Sequence, residues 1–275
     1  MIQIQNLQFS YGRNTVLKNI SMKLENGHIY GLLGENGVGK TTLLTLLAGL
    51  KKPEQGSISV DGERPSDRHP ACLESQYFLP DEVQPLNMSA KYFATAAGKF
   101  WPNFSMETFM AVMQELETDP AMKMNSMSAG QLKKSYVSFA LATGARNLYM
   151  DEPTNGLDIP SKAQFRKAVT RYTREDSVIV ISTHQVRDLE NLIDPIIILD
   201  RKEVLLNASL ERISEKLYFD YSTTLNPESL YTEQLPGGFI QVYPNTTGEE
   251  TKVNIEALFN AVRSHKETIK QLYHE

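Results

Sequence analysis

Residues 28–50 read HIYGLLGENGVGKTTLLTLLAGL: a short apolar run, a glycine-rich segment, then leucines at helical spacing. Leu43, Leu46, Leu47 and Leu50 fall on one face of the predicted helix, and Gly49 and Pro53 mark its end. Strand, glycine-rich loop and helix in this order open a parallel α/β sheet. The middle piece, Gly34-Glu35-Asn36-Gly37-Val38-Gly39-Lys40-Thr41, fits G-x-x-x-x-G-K-[ST]. In such a loop glycines let backbone N–H groups curl round phosphates, and the following helix points its positive end at them. Lys40 then supplies a point charge between the β and γ groups, and the Thr41 hydroxyl is the expected magnesium ligand. A glycine-rich turn without a ligand is the competing reading, and the position between strand and helix counts against it.

The surrounding chain has 275 residues, 41% hydrophobic and 22% charged, with 16 Gly and 13 Pro, an ordinary globular composition. Collagen-like, disordered and coiled-coil classes are excluded on that ground. The net charge is −5 with no basic block, which gives a nucleic-acid partner no electrostatic support. A single cysteine, Cys72, and the absence of a basic, then apolar, start point to a reducing compartment. The longest apolar runs, Val178 to Ile181 and Ile196 to Leu199, are far shorter than the roughly 18 residues of a membrane span. Residues 215–275 hold nine acids and five bases, a net of −4, against 24 acids and 23 bases before them. Two units are expected, 1–214 and a small acidic α/β appendage at 215–275.

Alternating apolar residues predict strands near Ile2–Phe9 and Val16–Leu24. Between about 86 and 145 the texture turns helical, and six of the ten methionines lie from Met106 to Met127. Met106, Met110 and Met113 share a helical face, expected to be packed core, with an adaptable docking surface as the other reading. Strands return at Leu148–Met150 and Val178–Ile181; after Ser209, strands at Leu217–Tyr221 and Phe239–Tyr243 precede a helix opened by Asn254.

Four further motifs narrow the class. Met127-Ser128-Ala129-Gly130-Gln131 stands at an expected helix start, 88 residues after Lys40. Leu148 to Pro153 forms a strand ending in Asp151-Glu152, Asn155-Gly156-Leu157-Asp158 follows, and Thr183-His184 closes the next strand. In order and spacing, residues 1 to about 210 resemble the ATP-binding subunit of an ABC transporter, most like bacterial drug-export types. The resemblance implies a P-loop NTPase core of ABC ATPase type with a helical insertion (about 86–145) and the C-terminal appendage. It also implies magnesium-dependent hydrolysis of ATP.

On this resemblance, Asn36, Gly37, Val38, Gly39, Lys40, Thr41 and Thr42 hold the phosphates and Tyr11 stacks on adenine, an exposed loop tyrosine being the alternative. Thr41 and Asp151 serve Mg2+, Glu152 polarises the attacking water, and His184 contacts the γ-phosphate. A capped structural acid and a structural histidine are the competing readings for the last two. Ser128, Gly130 and Gln131 match the signature loop, which in the family faces ATP bound to the other protomer. The implied active form is a head-to-tail dimer, homodimeric or heterodimeric, with two ATP molecules sandwiched and Asp158 at the interface. The implied partner is a separate transmembrane permease, which puts the chain in the cytoplasm, peripheral on the inner face of the cell membrane. The short C-terminal region resembles the tails of exporters more than the regulatory domains of sugar importers. Two alternatives stay open, a non-transport ABC ATPase and an ATP-dependent clamp that hydrolyses weakly.

Three positions depart from the family pattern. Ala129 stands where glycine is usual, a change tolerated if its φ is negative. Asn147 puts an amide at the start of an apolar strand. Asp81, after Pro80, aligns with a glutamine that touches magnesium, the attacking water and the membrane partner. Asp81 is therefore expected near the metal, as a ligand acting through water.

Overall fold

A computed structural model of the protein describes residues 1–273, so the last two positions of the expected appendage lie outside the described residues. The strands are β1 (Ile2–Tyr11), β2 (Asn14–Leu24), β3 (His28–Leu33), β4 (Gln55–Val60), β5 (Gln76–Leu79), β6 (Asn147–Asp151), β7 (Val178–Thr183), β8 (Ile196–Asp200), β9 (Glu203–Ala208), β10 (Leu217–Ser222), β11 (Tyr231–Leu235) and β12 (Gly238–Pro244). The helices are α1 (Lys40–Leu47), α2 (Pro70–Glu74), α3 (Ala90–Ala97), α4 (Met106–Glu115), α5 (Ala129–Ala142), α6 (Ile159–Tyr172), α7 (Leu210–Lys216), α8 (Ile255–Ser264) and α9 (Lys266–Tyr273).

The central sheet runs β5-β6-β7-β3-β8-β9. Its first five strands are parallel, and β9 returns antiparallel along β8. Both faces are covered, which is why β7 (VIVIST) and β8 (IIILD) are buried at every residue and read as continuous apolar runs. Period-two alternation then divides the core. Tyr30, Leu32, Val178, Val180, Ile197 and Leu199 pack with α1 and the antiparallel β2-β1-β4 sheet. Leu33, Ile179, Ile181, Ile196 and Ile198 face the other way, toward residues of α5, α6 and α8. All five parallel strands send their C-terminal ends to one edge, where ligand sites of such sheets collect.

The helical insertion has a core of its own, formed by Phe109, Met113, Met124 and Phe139, with Trp101 edge-on and Phe104 tilted against Phe139. Met113 is buried, whereas Met106 and Met110 only lean on this core from its rim. Leu50 breaks from the expected stripe. The chain turns out of α1 at Gly49 (φ +67°), and Leu50 is left 55% exposed.

The amide of Asn147 is explained by its partner: its Nδ2 donates to Asp61 Oδ2 at 3.2 Å. Asp61 also meets the N-terminal ammonium and Arg146. Beyond β9, the antiparallel β10-β12-β11 sheet is separate from the central one, yet its Phe219, Ile240 and Val242, with Leu258, Ala261 and Val262 of α8, share one core with Ile196 and Ile198. Position 214/215, where the sequence charge balance shifts, lies inside α7.

Candidate functional site

The glycine-rich loop leaves β3 and enters α1 through Gly39, whose φ of +115° only glycine holds comfortably. Gly34 is required for space: a Cβ there would lie 2.7 Å from Leu199 O. Lys40 is buried and curls back, its Nζ donating to Gly34 O at 2.7 Å and Glu35 O at 3.2 Å. The Val38 side chain packs inward on the core, so this residue offers the loop only its backbone.

At the end of β6 stand the two carboxylates. Asp151 Oδ2 accepts from the Thr41 hydroxyl at 2.5 Å and its Oδ1 accepts from Ser182. Glu152 turns with φ +45°, a conformation that costs an ordinary residue about 1–3 kcal/mol and that collects at functional sites. Its N–H donates to Ser182 Oγ at 3.1 Å, which fixes the turn. The carboxylate is buried, with Oε1 2.9 Å from His184 Nδ1 and 3.6 Å from Lys40 Nζ. The His184 ring is turned by Gln185, whose Nε2 lies 3.3 Å from His184 Nε2.

Of these groups Lys40, Thr41, Asp151 and Glu152 line a cavity of about 400 Å3, while His184 lines a smaller one that shares Glu35 and Asn36 with it. Tyr11, Asn36, Gly37, Gly39, Lys40, Thr41 and Thr42 line one side of the larger cavity, with Asp81, Asp151 and Glu152 opposite. Tyr11 is half exposed, its hydroxyl 3.4 Å from Thr42 Oγ1 and the Lys51 ammonium 4.8 Å from its ring centre. Asp81 is on the rim, where Oδ1 is 3.3 Å from Lys133 Nζ and also accepts from Asn155 Nδ2 at 3.3 Å. Burial pulls the Lys133 ammonium below its usual pKa, opposed by Asp81, Asp151 and Glu152 nearby.

Ser128, Gly130 and Gln131 do not line this cavity. They open α5 through a reciprocal cap: Ser128 Oγ accepts from Gln131 N–H at 3.2 Å, and Gln131 Oε1 accepts from Ser128 N–H at 3.0 Å. Such a cap is worth about 1 kcal/mol and leaves Ser128 exposed at a helix N-terminus. Ala129 is the first residue of α5 with φ negative, so its methyl is accommodated. Asp158 caps α6, accepting from Ser161 N–H at 3.0 Å, and hydrogen bonding from the Ser161 hydroxyl and N–H holds its carboxyl below the usual range.

Lys51, Ser182, Gln185 and Lys133 belong to the site but escape sequence reasoning. Ser182 alone carried a signal, since it stands two residues before His184 at a strand end. Among the described residues no group of three or more His, Cys, Asp or Glu is set to hold a metal. The oxygens of Thr41 and Asp151 nonetheless suit a hard cation that completes its shell from phosphate and water.

A strand-to-helix phosphate loop facing two carboxylates and a histidine defines a nucleotide-hydrolysing site. The ABC transporter family model matches residues 17–155, and the chain belongs to this family. It is 30% identical over 241 residues to the lantibiotic transport ATP-binding protein SrtF of Streptococcus pyogenes, covering 86% of this chain and 97% of that protein. The ABC transporter ATP-binding protein NatA of Bacillus subtilis is 30% identical over 212 residues, 72% of this chain and 84% of that one. Among solved structures, an ATP-binding subunit of an ABC transporter superimposes with a TM-score of 0.70 at 21% identity, over 78% of this chain and 91% of that one. The cassette MJ0796, in a post-hydrolysis dimer bound to ADP and Pi, gives 0.68 at 20% identity, over 76% and 99%. These likenesses show the fold, and the chain is the ATP-binding, ATP-hydrolysing subunit of an ABC transporter.

Proposed function

We propose that two copies of this chain, or this chain and a close relative, close head to tail on ATP and drive a separate membrane-spanning partner, with export as the direction. One observation carries the reading. The signature loop at Ser128 is capped and exposed, yet the cavity of its own P-loop takes no residue from it. A second chain is the source of that missing wall. The family likeness to SrtF, a lantibiotic transport protein by its name, supports a role in transport.

Within each site, Asn36 to Thr42 cradle the phosphates and Tyr11 offers its ring to the base. Thr41 and Asp151 would hold Mg2+, with Asp81 contributing through water, and the ion would supply charge neutralisation at the phosphates. Glu152 accepts the proton of the attacking water, which its burial at the cavity wall beside Lys40 and His184 supports. His184 holds Glu152 in line and reaches the γ-phosphate. Lys40 exchanges its two carbonyl partners for phosphate oxygens.

For the partner, support comes from an apolar groove of about 500 Å3 between the nucleotide core and the helical insertion. Leu50 and Phe100 line it, 55% and 73% exposed, beside Trp101. Among the described residues no helix is long and apolar enough to cross a membrane. The occupant on this reading is an apolar segment of the membrane protein, and the chain works on the inner face of the membrane.

Three outcomes follow. Ser128→Arg mixed with Lys40→Ala restores ATPase activity, because the heterodimer keeps one intact composite site while each variant alone has none; demonstrated heterodimers without recovery refute the arrangement. Asp81→Ala raises the magnesium concentration for half-maximal ATPase and leaves metal-free nucleotide affinity unchanged or better, whereas superimposable magnesium titrations remove Asp81 from the metal. Phe100→Asp abolishes co-purification with the membrane partner while ATP affinity stays at wild-type strength; retained co-purification moves the docking surface elsewhere.

A further inference from the structure

The C-terminal appendage reaches the nucleotide site. Its helix α8 lies beside the glycine-rich loop and the loop that follows His184, and each end is pinned to one of them. In the first turn, Glu256 Oε2 meets Arg187 Nη2 at 2.6 Å, three residues after His184. In the last turn, Arg263 Nη1 meets Glu35 Oε1 at 2.7 Å, inside the glycine-rich loop. Between these pins Phe259 faces a small cavity of about 220 Å3 shared with Gly34, Asn36, Thr183 and His184.

The same face is anchored from below. Asp200, buried at the end of β8, takes Lys266 directly and lies 3.8 Å from Arg263 Nε, while Lys270 Nζ meets Glu203 at 2.8 Å. Arg263, Lys266 and Lys270 are three of the five bases in this net-acidic region. Arg263 lies in the last turn of α8 and Lys266 and Lys270 lie four apart on α9, and all three address acids of the nucleotide core. The Arg263 guanidinium is also 5.3 Å from the ring centre of Phe259, which restricts it to the geometry that meets Glu35.

We propose that α8 is a positioning strut: Arg263 sets the glycine-rich loop through Glu35, Glu256 sets the His184 loop through Arg187, and the rigid helix between them fixes the two loops relative to each other. The appendage thereby tunes ATP turnover without contributing a catalytic residue. The Arg187–Glu256 pin is largely exposed and the Arg263–Glu35 pin partly so, and exposed pairs add little to global stability. What they constrain is geometry, and a small misplacement of groups that must align on one phosphate is felt in rate and affinity.

The inference rests on the roles proposed for the P-loop and His184, and its test uses full-length protein. Arg263→Gln should raise the KM for ATP about three- to tenfold with kcat nearly unchanged, and Glu256→Gln should lower kcat by a similar factor with KM nearly unchanged. Arg263→Lys should restore KM to about the wild-type value. Glu35→Gln combined with Arg263→Gln should be no worse than either alone, because the two residues act as one pair. A buttress that merely stabilises the fold would lower apparent kcat only in proportion to folded enzyme, leaving KM unchanged at Arg263 and turnover per folded molecule, with folded enzyme counted by thermal melt, unchanged at Glu256. That result overturns the strut, as do variants kinetically equal to the wild type. His184→Ala is measured alongside: loss of turnover there, with no effect at Arg263 or Glu256, refutes the strut alone, whereas normal turnover of His184→Ala refutes the site reading.

Discussion

Two adjacent carboxylates at the end of a buried strand are the constraint around which the rest is arranged. Removing such charges from water is costly unless each is paired or hydrogen-bonded. Asp151 is met by hydroxyls from α1 and β7, through Thr41 and Ser182. Glu152 is met by Lys40 from the glycine-rich loop and by His184 beyond β7. Satisfying the pair therefore ties together three neighbouring segments of the central sheet. The left-handed turn at Glu152 is sustained because Ser182 holds its N–H. Glu152 is thereby held at the wall of the cavity, between Lys40 and His184.

The same arrangement leaves the site open on one side. The nucleotide cavity is walled by the core of one chain, while the Ser128 loop is finished locally by its own cap and faces outward. A helix N-terminus with exposed N–H groups is suited to an anion, and its own P-loop does not supply one at that position. Two-chain closure is the reading that gives both halves a partner.

Much of this was legible in the sequence because the signals were local. The strand, glycine loop and helix at residues 28–50, the strand ending in Asp151-Glu152 and the buried β7 before His184 each carry their pattern within a few residues. Long-range pairings were not legible. Ser182 on Asp151, Lys133 on Asp81 and Asp61 on Asn147 join residues separated by 31, 52 and 86 positions, and composition holds no trace of them. Spacing also misplaced Leu50, since a periodic stripe does not register the turn at Gly49. The C-terminal region misled most: a net charge of −4 conceals a basic face on α8 and α9 that docks on the nucleotide core.

The account turns on Glu152 acting as the base, and the most direct measurement is ATP binding and turnover by Glu152→Gln under the same conditions. Removing the base while keeping an isosteric side chain should lower turnover by at least about a hundredfold. Nucleotide affinity should hold, and in gel filtration with ATP the variant should run as a dimer, since phosphate contacts from the glycine-rich loop are untouched. Turnover near the wild-type rate would contradict the assignment and return Glu152 to a structural acid.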